Sequence, residues 1–335
     1  MEEGSSPRLR TEPLARAELV HLRWAVPPLL VLIAGNLFFD LAGAGYGRVG
    51  AQLLADHAGG DAPLRGAVLA AAAITWATAA LAFILLGAGA LVASWRLVNE
   101  RVQGRARRPF LLFAAGASLL GFANLVLADL ADLPLEAIYR VTLDALRAEP
   151  MLDGGRVAIA GAVVAGINVM AVVVPAMLLA AGAASALPPR AGWNDRTLAR
   201  RALQVREVVG VTAAFLVAGV LHMGAWTHLA GATLSAEADA TLDLVAAPVT
   251  LFWGTTFTLM TAAFYLPLAV RLARLAEAVM DEDGVAPADR PRWLEARGLS
   301  FRFGQQVPQI AAMAAPLLAG PVGGAVTHAA EFLAF

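Results

Sequence analysis

Residues 66–95 form a run of thirty without a formal charge, and five arginines follow within the next thirteen positions. A bilayer hydrocarbon core about 30 Å thick requires roughly 20 apolar residues at about 1.5 Å per residue, so this run is long enough for a tilted transmembrane helix. Short loops rich in arginine remain in the cytoplasm, and these arginines therefore orient the helix as well. The run predicts an integral membrane protein.

Composition supports that class, because 59% of the 335 residues are hydrophobic and only 15% are charged, against about 25% charged in soluble domains. Every basic residue other than histidine is an arginine, and cysteine is absent. A lysine Schiff base, a Walker-type phosphate loop, disulfides and thiolate metal sites are thereby excluded. Abundant alanine, glycine and arginine without lysine is typical of a GC-rich bacterial genome, which predicts a multi-pass protein of the bacterial inner membrane.

Five further apolar runs alternate with polar segments along the chain. The predicted spans are 24–45, 66–95, 109–129, 157–187, 208–229 and 244–270. With both termini inside, the three cytoplasmic segments after the amino terminus hold five, five and six arginines, whereas the outer loops hold two, three and none. This distribution satisfies the positive-inside rule at every loop. It predicts an all-α, polytopic transmembrane helical bundle with six spans and both termini cytoplasmic.

Three regions follow from this topology. They are a cytoplasmic amino-terminal segment, 1–23; a six-helix transmembrane domain, 24–270; and a cytoplasmic helical extension with a hydrophobic tail, 271–335. The outer loop 130–156 is acidic and has apolar residues at helical spacing, which predicts an interfacial helix. On the cytoplasmic side, Asn194 or Asp195 is a suitable amino-terminal cap for a short basic helix ahead of the fifth span.

The hydrophobic tail, 310–335, is interrupted by Pro316, Pro321 and several glycines. Broken apolar backbone at membrane depth is stable only when it is buried in protein or faces a water-filled cavity. Alanine and glycine contribute little transfer energy, and Glu331 lies near the end. A re-entrant or surface-lying segment is therefore favoured over a seventh span, which stays open as an alternative.

Seven polar or aromatic residues fall in the outer halves of the predicted spans and are the candidate contacts for a ligand or ion. They are Asn36, Asp40, Asn124, Asn168, His222, Trp253 and Thr256. Polar residues inside spans often mark solute pathways, so this set predicts a polar chamber that opens outward, with Asp40 and His222 as coupling or ligand-contacting groups. The alternative is that these side chains are interhelical hydrogen bonds, worth about 0.6 kcal/mol each.

Signals for catalysis and cofactors are weak. No Ser-His-Asp arrangement, HExxH or GxSxG motif is present, so we assign no catalytic residue, no metal site and no cofactor, and we expect the chain not to be an enzyme. His222 and His228 lie six positions apart and do not form the i, i+4 pair of a zinc site. Haem binding through His222 stays open, although it requires a second buried histidine.

Two functional classes are consistent with the sequence. The first is a channel or transporter for an ion or small solute, with the outward-facing polar chamber as its binding site. The second is a non-transporting oligomeric scaffold or signalling effector whose cytoplasmic arginine-rich segments bind a protein partner. The lipid bilayer is the expected environment in both cases, a homo-oligomer is possible, and no nucleic-acid partner is expected.

Overall fold

The computed structural model describes residues 21–42, 62–102, 104–131, 133–189, 192–297, 299 and 307–320. Most of these residues are helical, and no strand occurs among them. Six of the helices are long and apolar enough to cross a membrane. The predicted all-helical class and the six long apolar helices are thus confirmed.

Each predicted span falls within one helix to within about three residues, and three of the helices extend beyond their spans, by up to 13 residues at one end. After a 3₁₀ turn, Leu22–Ala25, the helices are α1, Val26–Ala42; α2, Ala62–Arg101; α3, Arg107–Leu130; α4, Pro134–Ala148; α5, Gly154–Ser185; α6, Asp195–Gly231; α7, Ala236–Glu282; α8, Arg290–Ala296; and α9, Val307–Gly320. The six long helices are α1, α2, α3, α5, α6 and α7. Helix α4 is the helix predicted within the loop 130–156.

Local sequence determines where three of these helices begin. The first N–H groups of a helix have no partner within it, and a side-chain oxygen at the preceding residue can accept from one of them. Asp153 accepts from the N–H of Arg156, and Ser235 accepts from the N–H of Ala238. Asn194, one of the two predicted caps, forms a reciprocal capping box with Thr197.

Helix α6 corrects one prediction, because the short basic helix and the fifth span are a single helix. The intervening stretch contains no glycine or proline to interrupt it. Leu198 and Ala202 lie one turn apart and pack against Ala276 and Val279 of α7. The basic segment is therefore the first part of a 37-residue helix.

Helix α7 is longer still, with 47 residues, or about 70 Å at 1.5 Å per residue. It begins at Ala236, immediately after its cap, so the connection from α6 is shorter than the sequence predicted. It runs through Arg271 without a break, as expected for the predicted extension of the sixth span. This length exceeds a hydrocarbon core of about 30 Å, so α7 projects beyond the span.

Helix α6 occupies the centre of the bundle. It packs against α2 and α7, while α1 packs mainly on α7 and α3 mainly on α5. The apolar window of α6 is 56% buried inside the protein, whereas that of α3 is 11% buried. Helices α1 and α3 are therefore peripheral elements, and neither has the other as its main neighbour.

The bundle has two chemically different ends. We call the end that carries Arg101, Arg107, Arg201 and Arg271 the arginine end, and the end where α4 lies the acidic end. At the arginine end, Nη1 of Arg271 lies 3.0 Å from Nδ1 of His21. Burial, with Arg271 and Arg23 nearby, lowers the pKa of His21 to about 4. The neutral ring thus accepts a hydrogen bond from Arg271 at neutral pH.

Glycines permit the closest helix contacts. A Cβ atom on Gly121 of α3 would lie 2.7 Å from Cγ1 of Val172 on α5, and one on Gly35 of α1 would lie 2.5 Å from Cγ2 of Thr256 on α7. Any larger residue at either position requires the neighbour to move. Small residues at interfaces let membrane helices approach in this way.

Helix α9 packs along α7 in the opposite direction. A Cβ atom on Gly254 would lie 2.5 Å from the carbonyl oxygen of Pro316, and one on Gly320 would lie 3.0 Å from Oγ1 of Thr250. Met313 joins the main hydrophobic core. The first part of the predicted tail is thus packed against a span. Residues 321–335 lie outside the described residues, so the form of the whole tail stays a prediction.

Candidate functional site

A cavity of about 380 Å³ lies between α1, α3, α5, α6 and α7, mostly in the half of the bundle nearer the acidic end. Its walls are largely apolar. Side chains that form them include Leu29, Leu32, Ile33, Ile167, Val172, Phe215, Leu216, Phe257 and Met260. No Asp, Glu or Arg side chain from the part of the chain that the structure describes lines the cavity. The space is suited to an apolar molecule rather than to an inorganic ion.

Two asparagines join the peripheral helices at the cavity wall. Nδ2 of Asn124 on α3 donates to Oδ1 of Asn36 on α1 at 3.4 Å, and Nδ2 of Asn36 donates to the carbonyl oxygen of Leu32 at 2.9 Å. The contact between the two asparagines is long for a hydrogen bond, for which about 2.9 Å is usual. It is therefore a weak link that a competing polar group can replace.

His222 of α6 is the most unusual group in the cavity. Its side chain is 1% exposed, and neither ring nitrogen has a hydrogen-bond partner among the described residues. Its ring lies 6.1 Å from the ring of Phe83 and 6.4 Å from that of Trp76, measured between centroids. A buried polar group without a partner costs about 1–3 kcal/mol. A molecule in the cavity that hydrogen-bonds to the ring would remove this cost.

Asn168 and Tyr139 add two further polar groups to the lining. No hydrogen bond joins the Asn168 amide to any residue within the described ranges. Tyr139 comes from α4, whose apolar face covers the acidic end of the bundle. Burial and the nearby Glu136 raise the pKa of Tyr139 to about 12. Its hydroxyl thus stays protonated at neutral pH and can donate a hydrogen bond.

Two residues that line the cavity are exposed on the surface of the bundle. Leu37 of α1 and Leu120 of α3 both line it, yet they are 65% and 50% exposed. These two helices pack mainly on different neighbours, α7 and α5. The cavity therefore reaches the surface of the bundle near α1 and α3.

Five of the seven predicted contact residues meet at this cavity: Asn36, Asn124, Asn168, His222 and Trp253. Asp40 and Thr256 are not among its lining residues. Thr256 packs against Gly35, where it holds α1 close to α7. Asp40 lies one turn beyond Asn36 and makes no hydrogen bond or ion pair within the described residues. The structure thus gives no contact between Asp40 and His222.

Tyr139 and the extent of the apolar lining were not predicted from the sequence. Tyr139 lies within the amphipathic segment predicted for the loop 130–156, so the apolar face of that segment was the available signal. Leucine, valine and phenylalanine in a span face lipid, protein or a cavity equally well, and nothing local distinguishes these cases. The cavity at the predicted contact residues has mainly apolar walls with a few polar atoms, and its role as the predicted chamber stays a prediction.

The expectation of no metal site and no cofactor, with haem through His222 left open, stays a prediction. The described residues contain no group of three histidine, aspartate, glutamate or cysteine side chains placed to hold a metal ion. His21 lies at the arginine end and contacts Arg271, far along the bundle from His222.

No family model, curated protein or solved structure matches the chain. The cavity therefore supplies the evidence on which a function is proposed.

Proposed function

We propose that the protein is a membrane transporter for a small, uncharged amphiphile, which it binds in the cavity between α1, α3, α5, α6 and α7. The ring of His222, buried and without a hydrogen-bond partner among the described residues, is the observation that carries this proposal. Together with the amide of Asn168, it offers hydrogen bonds to a polar head group, while the leucine and phenylalanine walls cover an apolar tail. Ligand sites of about 300–1,000 Å³ commonly combine such walls with a few polar groups.

An uncharged ligand fits the cavity better than an ion. Moving a charge out of water into an apolar site costs several kcal/mol unless an opposite charge is present. None of the described lining residues carries a carboxylate or guanidinium group. The polar atoms present are neutral amides, an imidazole, an indole and a hydroxyl, which suit an alcohol, ester or amide head group.

We propose entry from the lipid side, between α1 and α3, because exposed leucines of these two helices line the cavity. An amphiphile dissolved in the outer leaflet with its head near Asn36 and Asn124 has its tail at the depth of Leu120, one turn deeper on α3. The weak hydrogen bond between the two asparagines joins α1 to α3. When hydrogen bonds to the head group replace the bond between Asn36 and Asn124, α1 and α3 can separate as the ligand enters.

We expect a photoreactive amphiphile to label the interior of the cavity. The probe is a long-chain alcohol with a diazirine in its tail, added to proteoliposomes of the intact chain and mapped by mass spectrometry. Adducts should form on Phe215 and Ile167, which are each only 2% exposed. Ala176→Phe fills the cavity and should lower this labelling at least about fivefold, since overpacked space excludes the tail. Ala165→Phe, on the exposed face of α5, is the matched control.

Transport is measured separately from binding. A monoacylglycerol with a nitrobenzoxadiazole fluorophore is added to the same liposomes, and dithionite destroys the fluorophore in the exposed leaflet only. Protein-dependent protection that is lost in Ala176→Phe and kept in Ala165→Phe supports transport. Labelling without any movement of the probe would favour the non-transporting alternative. Absence of interior labelling would overturn the proposed site itself.

We also propose that the arginine end lies in the cytoplasm, with both termini there, in a bacterial inner membrane. The arginine distribution supports this orientation. Because the chain has no cysteine, Arg108→Cys and Met151→Cys each introduce a single thiol at an exposed position, one at either end. An impermeant maleimide should label Met151→Cys in intact bacterial spheroplasts, and Arg108→Cys only after lysis. The reverse labelling pattern would show that the arginine end lies outside the cytoplasm.

A further inference from the structure

The arginine end contains a group of cations, located where α2 packs against α6, that no carboxylate among the described residues pairs with. Arg201 is 3% exposed, which is rare for an arginine in the absence of an ion pair. Its Nη2 donates to the carbonyl oxygen of Leu187 at 2.9 Å, and its Nη1 to Oε1 of Gln204 at 3.3 Å. Both acceptors are neutral. Within the described ranges, the positive charge of Arg201 is therefore buried without a carboxylate that pairs with it.

Arg101, the last residue of α2, lies beside this group. Its Nε and Nη2 atoms are buried and have no hydrogen-bond partner among the described residues. The positive charges of Arg101 and Arg201 repel each other, and Arg200 repels both. Glu100 attracts Arg101 through space but forms no ion pair with it. Val98 and Val102 at this end of α2 pack with Leu187, whose carbonyl oxygen accepts from Arg201. The end of α2 that carries Arg101 therefore lies beside Arg201.

Buried like charges are unfavourable unless an opposite charge joins them. Phosphate matches this arrangement, since it has several acceptor oxygens and guanidinium groups bind it in bidentate geometry. The cluster lies at the end of the spans, at the level of lipid head groups. Basic pockets between transmembrane helices at the cytoplasmic side are known to bind anionic lipid head groups.

We propose that Arg101, Arg200 and Arg201 form a binding site for a phosphate group. The site is separate from the cavity that contains His222 and does not depend on the proposed transport activity. Arg201 is held in place by Leu187 and Gln204, while the free donors of Arg101 face the anion. The phosphate comes from an anionic phospholipid or from a soluble phosphate compound, and the two sources are distinguished by experiment.

The experiment measures thermal unfolding of the full-length protein in a phosphate-free maltoside detergent. One arm adds inorganic phosphate at constant ionic strength with chloride as reference, and the other adds phosphatidylglycerol with phosphatidylcholine as reference. A site at saturation should raise the apparent midpoint by about 4 °C or more. A response to phosphatidylglycerol alone identifies a lipid site, and a response to inorganic phosphate identifies a soluble ligand.

Variants separate an anion site from a structural role. Arg101→Gln removes an unpartnered charge, so its midpoint without anion should equal or exceed that of the wild type, while the response to phosphate disappears. Arg96→Gln, an exposed position on the same helix, should keep the full response. Arg200→Gln, also exposed, should reduce it. No response in either arm of the wild type, or an unchanged response in Arg101→Gln, would overturn the site.

Discussion

Replacing Gly254 with leucine is expected to displace α9 from α7. A Cβ atom at this position would lie 2.5 Å from the carbonyl oxygen of Pro316 and 3.0 Å from Cα of Leu317. Both are backbone atoms, so no change of side-chain rotamer relieves the overlap. Overpacking of this kind costs about 1–3 kcal/mol, and here the cost is avoided if the whole helix moves away.

The displacement can be measured through a single thiol at Ala319, which is buried in the native packing. We expect Ala319→Cys to react at least about tenfold faster with a membrane-permeable maleimide when it is combined with Gly254→Leu. The apparent unfolding midpoint should fall as well, because Met313 leaves the core. Gly210→Leu is the control, since a side chain at Gly210 of α6 meets open space. Equal labelling in the two backgrounds would show that α9 is not held through Gly254.

Replacing His222 with leucine is expected to stabilise the protein and weaken ligand binding at the same time. Leucine has a similar volume and no polar atoms, so it removes two buried nitrogens that have no partner in the described structure. The free energy of unfolding should rise by about 1–3 kcal/mol, the cost of a buried unsatisfied group. A hydrogen bond that His222 makes only with the ligand would explain why the protein has histidine here in spite of this loss of stability.

The matched control lies on the same helix. Thr212 of α6 is also buried, but its hydroxyl donates to the carbonyl oxygen of Val208 at 2.7 Å. Thr212→Val therefore removes a satisfied group and should not stabilise the protein. Labelling by the diazirine alcohol should fall at least about fivefold in His222→Leu and persist in Thr212→Val. A destabilised His222→Leu variant that binds the probe normally would assign His222 to the core instead.

The Gly254→Leu and His222→Leu variants change two different places, the contact between α7 and α9 and the cavity. Gly254 and Trp253 are neighbours on α7, one facing α9 and the other lining the cavity. Displacement of α9 through Gly254 therefore also tests whether α7 keeps the cavity wall in place. If interior labelling survives in Gly254→Leu, the cavity is formed by the six long helices without α9.

The sequence by itself determined the number of long apolar helices and most of their bounds. Each apolar run satisfies its own backbone hydrogen bonds as a helix, so its existence does not depend on its neighbours. The cap at Asn194 is likewise a local property. Depth along a span was readable too, because a helix rises about 1.5 Å per residue, and Asn36, Asn124 and His222 indeed lie at one cavity.

Only the tertiary structure decided which side of each helix meets which neighbour. Asn36 and Asp40 are four residues apart on α1, yet the first lines the cavity and the second does not. Thr256 has a depth similar to that of Trp253 but packs under Gly35. The convergence of Arg101 with Arg201 depends on the packing of α2 against α6, far apart in sequence. The rotation of a helix about its axis and the helices it packs against depend on close contacts between residues far apart in sequence. The hydropathy pattern along the chain does not contain this information.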